Sequence, residues 1–281
     1  MEVRRYDWAD AFLAAAGDFL VAREAEHNLI LGICANLRDN PDGDAAPPYL
    51  ATVTSGERVV AAALQTPPFQ LVLSEVDDPE AIVALAAELV DRDLPGALGP
   101  VEHVRAFVDA RGALGGPPGH LRFSERIFRL TEVIPPRPTS GHSRIAEAGD
   151  RDLVADWITA FMREALGQDD PAEANDLIDR WLAGRGRALH LWEDGDAVSL
   201  AGVGSATPNG IRIGPVYTPP EHRNHGYASS LVAAVSQAQL DAGRRFCFLF
   251  TDLANPTSNH IYRTIGYEPV RDVDAYRFDR P

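Results

Sequence analysis

Apolar residues recur at helical spacing along residues 9–37, at Phe12, Leu13, Phe19, Leu20, Ile30, Leu31 and Leu37. This run predicts helix up to the breaker Asp39-Asn-Pro-Asp-Gly43. Short apolar runs then predict strands at Tyr49–Thr54, Val59–Gln65 and Phe69–Ser74, the first two joined at Ser55-Gly56. Asp78-Pro79 starts a helix reaching about Val90. A helix over His103–Arg111 and a strand over Ile127–Val133 complete the pattern. Ile134-Pro-Pro-Arg-Pro-Thr-Ser-Gly-His142 is the best linker candidate, with three prolines and a glycine in nine residues.

Beyond it the order restarts. Ser143–Glu147 reads as a strand, and Asp150–Leu166 as an amphipathic helix. Asp170-Pro171 starts another helix, to Leu182. Leu189–Glu193 and Ala197–Ser205 form strands around an Asp194-Gly195 turn. A strand over Val270–Phe278 ends the second half. Both halves share one order of helix, strands, helix and strand, which predicts two copies of one α/β fold. The expected boundaries are 1–136 and 143–281, with 137–142 as linker.

Between Gly214 and Gly266 the second half carries a denser signal. Strand residues Ile211, Ile213, Val216 and Tyr217 lead into Arg223-Asn-His-Gly-Tyr-Ala228. Ala228, Leu231, Val232, Val235, Ala238 and Ala242 then recur at helical spacing before Gly243. The turn therefore sits at a helix N-terminus, where free N–H groups and the positive end of the helix dipole favour an anion. Such a terminus binds phosphate without basic side chains. A second strand, Phe246–Leu253, runs into Asn255-Pro256, an N-cap followed by proline at the first helical position.

This stretch resembles the acetyl-CoA signature of the GCN5-related N-acetyltransferase (GNAT) superfamily. There R/Q-x-x-G-x-G/A cradles the CoA pyrophosphate, and Arg223, Asn224, His225, Gly226, Tyr227 and Ala228 match it, with Ser229 next in the helix. Val216, Tyr217 and Thr218 match the splayed strand that pairs with the pantetheine arm. Asn255, followed seven residues later by Tyr262 and then by Ile265-Gly-Tyr267, matches the second cofactor segment. The resemblance implies two tandem GNAT-like domains of the α/β (α+β) class, each a mixed central sheet flanked by helices. It also implies acetyl-CoA as co-substrate, no metal and a small-molecule amine as acceptor. The C-terminal half is similar to the glycine N-acyltransferase-like branch, so an amino acid is a candidate acceptor. In the N-terminal half the corresponding turn, Glu75-Val-Asp-Asp-Pro-Glu80, has no glycine and four carboxylates, which would repel a pyrophosphate. That half is expected to be a degenerate copy that helps form the acceptor pocket and runs no chemistry.

Net charge narrows the partners. At −15, with all 26 basic residues arginine, the chain does not read as a nucleic-acid binder. No apolar stretch reaches the ~18 residues of a membrane span, and the N-terminus lacks an apolar signal core. Cys34 and Cys247 imply no disulfide framework, and a cytoplasmic protein is the simplest reading. The oligomeric state is not legible.

Acyl transfer to an amine asks for three things: a neutral nucleophile, donors for the oxyanion, and a proton for the leaving thiolate. A backbone N–H at Val216 or Tyr217 could serve the oxyanion. Tyr262 is the expected proton donor, with core packing as its competing role. Asp252 is the first choice of base, with Glu193 and His190 or a water chain as alternatives. His222 and His225 lack a third partner at metal-ligand spacing. The expected function is N-acyl transfer from acetyl-CoA; the alternative is a non-catalytic CoA-binding regulatory or scaffold protein.

Overall fold

The computed structural model describes residues 1–39, 46–166, 178–179, 181–182, 184 and 186–279. They form two compact units, one of Met1–Ile127 with Val270–Pro281 and one of Phe128–Pro269. The chain runs β1 (Glu2–Tyr6), α1 (Ala9–Val21), α2 (Asn28–Asp39), β2 (Tyr49–Ser55), β3 (Arg58–Gln65), β4 (Leu71–Leu73), α3 (Glu80–Glu88), β5 (Gly96–Pro100), α4 (Val101–Ala113) and β6 (Gly119–Leu130). It continues through β7 (His142–Ile145), α5 (Arg151–Phe161), β8 (Ala188–Asp194), β9 (Asp196–Gly204), β10 (Gly210–Tyr217), α6 (Tyr227–Asp241), β11 (Phe246–Asp252), α7 (Pro256–Thr264) and β12 (Glu268–Phe278).

Each unit is a mixed sheet between helices, and the pairing pattern repeats. In the first, β1 to β4 pair antiparallel in chain order and β4 pairs parallel with β5. In the second, β7 to β10 do the same and β10 pairs parallel with β11. A helix joins each parallel pair, α3 in one and α6 in the other. The closing strands are crossed over. β12, last in the chain, pairs antiparallel with β5 of the first unit. The end of β6 gives Phe128 and Leu130 to the core of the second. The sequence placed Val270–Phe278 in the second half; its pairing with β5 puts it in the first.

Both faces of each sheet are covered, so the strands are apolar on both sides. In the first unit Leu50, Ala62, Leu64 and Val72 meet Phe12, Leu20, Ile30 and Leu31 of α1 and α2. Their alternates Ala51, Val53, Ala63, Leu71 and Leu73 meet Ile82, Leu85, Val104 and Phe107 of α3 and α4. In the second unit Leu189, Leu191, Leu200 and Tyr217 meet Val154, Trp157 and Ile158 of α5. Ala201, Val203, Ile211, Ile213, Cys247 and Leu249 meet Leu231, Val232 and Val235 of α6.

Several predicted elements change. The single helix over 9–37 is two, α1 and α2, separated at residues 22–27. The break is fixed by His27, whose ring is buried: Nδ1 is 2.9 Å from the Leu20 carbonyl and Nε2 accepts the Glu75 N–H at 3.0 Å. Strands β1 and β5 were not predicted, and β6 begins at Gly119 instead of Ile127. The helix expected over 150–166 is a short 3₁₀ turn (Ala148–Asp150), α5, and one π-helical turn (Met162–Leu166). The start of the helix expected from Asp170-Pro171 lies outside the described residues.

Candidate functional site

Strand β10 parts from one neighbour, β11, ahead of the motif. Its parallel pairing with β11 covers Gly210↔Phe246, Ile211↔Cys247 and Arg212↔Phe248 and goes no further. On the other side, its register with β9 shifts between Ile213 and Val216, then resumes at Val216↔Ala201 and Tyr217↔Leu200. The end of β10 thus keeps one partner and frees the edge that faced β11. A free strand edge presents unpaired N–H and C=O groups to any extended chain laid along it.

The turn follows. Pro220–His222 make a 3₁₀ turn, Asn224 has φ +66°, and Gly226 caps α6 in the left-handed conformation at φ +84°. The cap has no side-chain hydrogen bond. The first N–H groups of a helix, here at Tyr227, Ala228 and Ser229, have no intrahelical acceptor. Around Gly226 the space is open; a Cβ there would find only the Thr139 Cβ, 4.0 Å away. Glycine adopts this backbone angle without the strain a side chain would bring. His225 and Tyr227 stack with ring centroids 5.5 Å apart. The Tyr227 hydroxyl donates to Asp194 at 2.7 Å, Ser140 donates to the same carboxylate oxygen at 2.6 Å, and Thr139 donates to the His225 carbonyl at 3.1 Å.

Arg223 does not aim its guanidinium at the turn. Nε donates to the Thr218 carbonyl at 2.9 Å, and an Nη donates to Glu164 at 2.7 Å. The group also lies 5.8 Å from the Tyr217 ring centroid. Tyr217 is buried and donates its hydroxyl to the other Glu164 oxygen at 3.0 Å. Burial and the Glu164 hydrogen bond push the Tyr217 phenol up. For Glu164 burial works against the charge, but the bonds from Arg223 and Tyr217 outweigh it and hold the carboxyl below its ordinary range. Glu164 had no signal in the sequence, because its partners lie far along the chain and its π-helical turn breaks the helical register.

Asn255 caps α7, its side chain accepting the Ser258 N–H at 3.0 Å, with Pro256 next. One face of α7 buries Tyr262 beside Phe128 and Tyr267, with centroids 6.4 and 6.0 Å away. Burial raises the Tyr262 phenol to about 12, so it stays protonated at neutral pH.

Two of the candidate bases, Asp252 and Glu193, are engaged with neighbours. Asp252 accepts the Ala254 N–H at 2.7 Å and shapes the turn before Asn255. Glu193 is ion-paired with Arg144, which also holds Asp150 at 2.7 Å. His190 lies on β8 opposite Ala201, and burial lowers its pKa. Among the described residues no group of three or more His, Cys, Asp or Glu could hold a metal, and no helix is long and apolar enough to cross a membrane.

Comparison with known proteins meets this geometry at two levels. Residues 193–277, spanning β9 to β12, match the family of FR47-like proteins. Solved structures match nearly the whole chain. A GNAT-family acetyltransferase from Colwellia psychrerythraea aligns at TM-score 0.58 and 10% identity, over 99% of this chain and 100% of its own. A Drosophila protein aligns at 0.68 and 14%, over 99% and 98%. A tandem GNAT protein from the clavulanic acid biosynthesis pathway aligns at 0.57 and 14%, over 98% and 97%. No curated protein sequence matches. The fold is therefore that of the GNAT acetyltransferases, in its tandem form.

Proposed function

We propose that the Phe128–Pro269 unit transfers an acyl group, acetyl in the first instance, from acyl-CoA to the amine of a small molecule. One observation carries the reading. β10 gives up β11 just before a turn that ends in a left-handed glycine and an open helix N-terminus. A free strand edge followed by an anion-binding turn suits a ligand with an amide-bearing arm and a pyrophosphate, and CoA is such a ligand. Acyl-CoA supplies the activated thioester. The chain supplies the edge at Val216, Tyr217 and Thr218, and the N–H groups of the Arg223–Ser229 stretch.

Tyr262 is the proton donor in this reading. A phenol is protonated at neutral pH and can donate to a departing thiolate. Attack by the neutral amine forms the new C–N bond, and collapse breaks the C–S bond. The amine's proton passes to the base, the sulfur gains one from Tyr262, and solvent returns a proton to the tyrosinate. Asp252 remains the first candidate for base, through solvent, although its carboxylate also shapes a turn. The resemblance to the glycine N-acyltransferase-like branch makes an amino acid the first acceptor to try.

The first unit carries no such reaction in this reading and is a degenerate copy. Its place in a cytoplasmic protein acting on small amines needs no nucleic acid or membrane. The alternative, a CoA-binding regulatory or scaffold protein, is favoured by the engagement of Asp252 and Glu193.

Thiol release from acetyl-CoA, measured against a panel of amines and amino acids, tests the two readings. Amine-dependent release is expected, and Tyr262→Phe should lower kcat by about 10²–10⁴-fold while CoA affinity changes little. CoA binding without release against any amine supports the scaffold reading.

A further inference from the structure

The exit of β10 is held by side chains. After Arg212 the strand has no partner on the β11 side. Five polar contacts converge on its last residues and their neighbours. Ser199 Oγ lies 3.2 Å from the Tyr217 carbonyl, and 2.8 Å from Thr218 Oγ1. Arg223 Nε donates to the Thr218 carbonyl at 2.9 Å. The Tyr217 hydroxyl and an Arg223 Nη each donate to one oxygen of Glu164, at 3.0 and 2.7 Å. Glu164 comes from the π-helical turn Met162–Leu166 that follows α5. Such turns re-aim a side chain that regular helix would place elsewhere.

These contacts close a loop: Glu164 to Tyr217, along the backbone to Thr218, through Arg223 and back to Glu164. Each carboxylate oxygen takes one donor. Removing the carboxylate would free Tyr217 and Arg223 together, because nothing else in the loop can accept both.

We infer that Glu164 is a positioning residue for the acyl-CoA arm: through Tyr217 and Arg223 it fixes the free edge of β10 against which the arm pairs. This rests on the function proposed above. It also assigns the motif's arginine a different task from phosphate binding. Its guanidinium is committed to the strand end, and the phosphate is left to the backbone N–H groups of the turn. Packing β10 against α5 through a buried tyrosine, with an ion pair at the rim, sets the edge before any ligand arrives.

Two probes separate the arm from the phosphates: CoA itself, and adenosine 3′-phosphate 5′-diphosphate, which lacks the arm. Glu164→Gln should weaken CoA about tenfold, the worth of one charge-assisted hydrogen bond, and leave the armless nucleotide unchanged. Arg223→Gln should do the same, and the double variant should be no worse than either, since both act through one network. Without ligand, amide exchange in Glu164→Gln should quicken at Val216–Thr218 while the thermal midpoint stays near wild type. Tyr217→Phe, which removes one bond only, should give a smaller shift in the same direction. Unchanged or tighter CoA binding in Glu164→Gln would overturn the inference. So would additive losses, or an Arg223→Gln variant that loses both probes equally, which would make the arginine a phosphate ligand. If wild-type protein binds neither probe, the proposed function fails, while the exchange data still judge the tie.

Discussion

The two units place the same junction, a strand entering a helix, at the same point of a repeated order, yet the two junctions are built for opposite ends. At β4–α3 the turn has no glycine and is packed with charges that answer each other. Asp77 is paired with Arg23 at 2.6 Å, and Glu75 with Arg271 at 2.6 Å. Arg271 also reaches Glu102, and His103 lies 3.5 Å from Glu75. The Glu75 N–H, a donor that a ligand could have used, is taken by His27. At β10–α6 a left-handed glycine caps a helix whose first N–H groups have no side-chain cap, and Arg223 and Glu164 are turned toward the strand end. One junction satisfies itself; the other is left to be satisfied. The repeated topology does not make the two junctions alike; they differ in which backbone donors the chain's own side chains already occupy.

The largest expected effect comes from making the second junction resemble the first. Aspartate is among the few L-residues that visit the left-handed region, and nothing stands within 4.0 Å of a Gly226 Cβ except Thr139. Gly226→Asp should therefore fold, and its carboxylate should repel an incoming pyrophosphate. CoA affinity is expected to drop by at least about 100-fold, roughly 3 kcal/mol. Calorimetry on the variant, with circular dichroism as the check on folding, reads this directly; wild-type affinity in a folded variant would place the site elsewhere.

The self-satisfied junction should instead show itself in stability. Burial holds the His27 ring neutral and lowers its pKa to about 4, against 6.5 for an ordinary histidine. Because the folded value lies below the unfolded one, the unfolded state binds the proton first. Stability from this group is complete above about pH 6.5 and is lost as pH falls toward 4. The loss at pH 5 comes to about 2 kcal/mol. Urea unfolding at pH 7 and pH 5 should show that slope in the wild type and a flatter one in His27→Gln, after the variant's own cost at pH 7 is subtracted. Equal slopes would remove His27 from the account.

The smallest effect concerns the cap of α7. Asn255→Ala should cost about 1 kcal/mol, as for other lost N-caps. A cap role alone would leave CoA affinity untouched, whereas the contact implied by the GNAT resemblance would lower it as well. Denaturant unfolding and CoA titration of the one variant separate the two.

What was legible in the sequence was local. The Arg223–Ala228 turn, the helix after it and the Asn255-Pro256 cap could be read because backbone chemistry ties each to residues a few positions away. β1 was missed because Glu2-Val-Arg-Arg-Tyr6 lies at the edge of its sheet, where polar residues are at home. β5 was missed because Gly96-Ala-Leu-Gly-Pro100 looks like a turn. Its glycines answer to packing: a Cβ on Gly96 would come within 2.1 Å of the Tyr276 carbonyl oxygen, and one on Gly99 within 2.9 Å of the Leu73 Cβ. The break before His27 and the role of Glu164 depend on partners dozens of residues away, which no local pattern carries. The exchange of the closing strands is of the same kind, since β12 reads as a strand but nothing in it names β5.

Under the proposed function the repeated fold holds one acyl-CoA site per chain, at the β10–α6 junction. Isothermal titration of CoA into the intact wild-type protein counts the sites. One CoA bound per chain is expected; two per chain, or none, would overturn that reading.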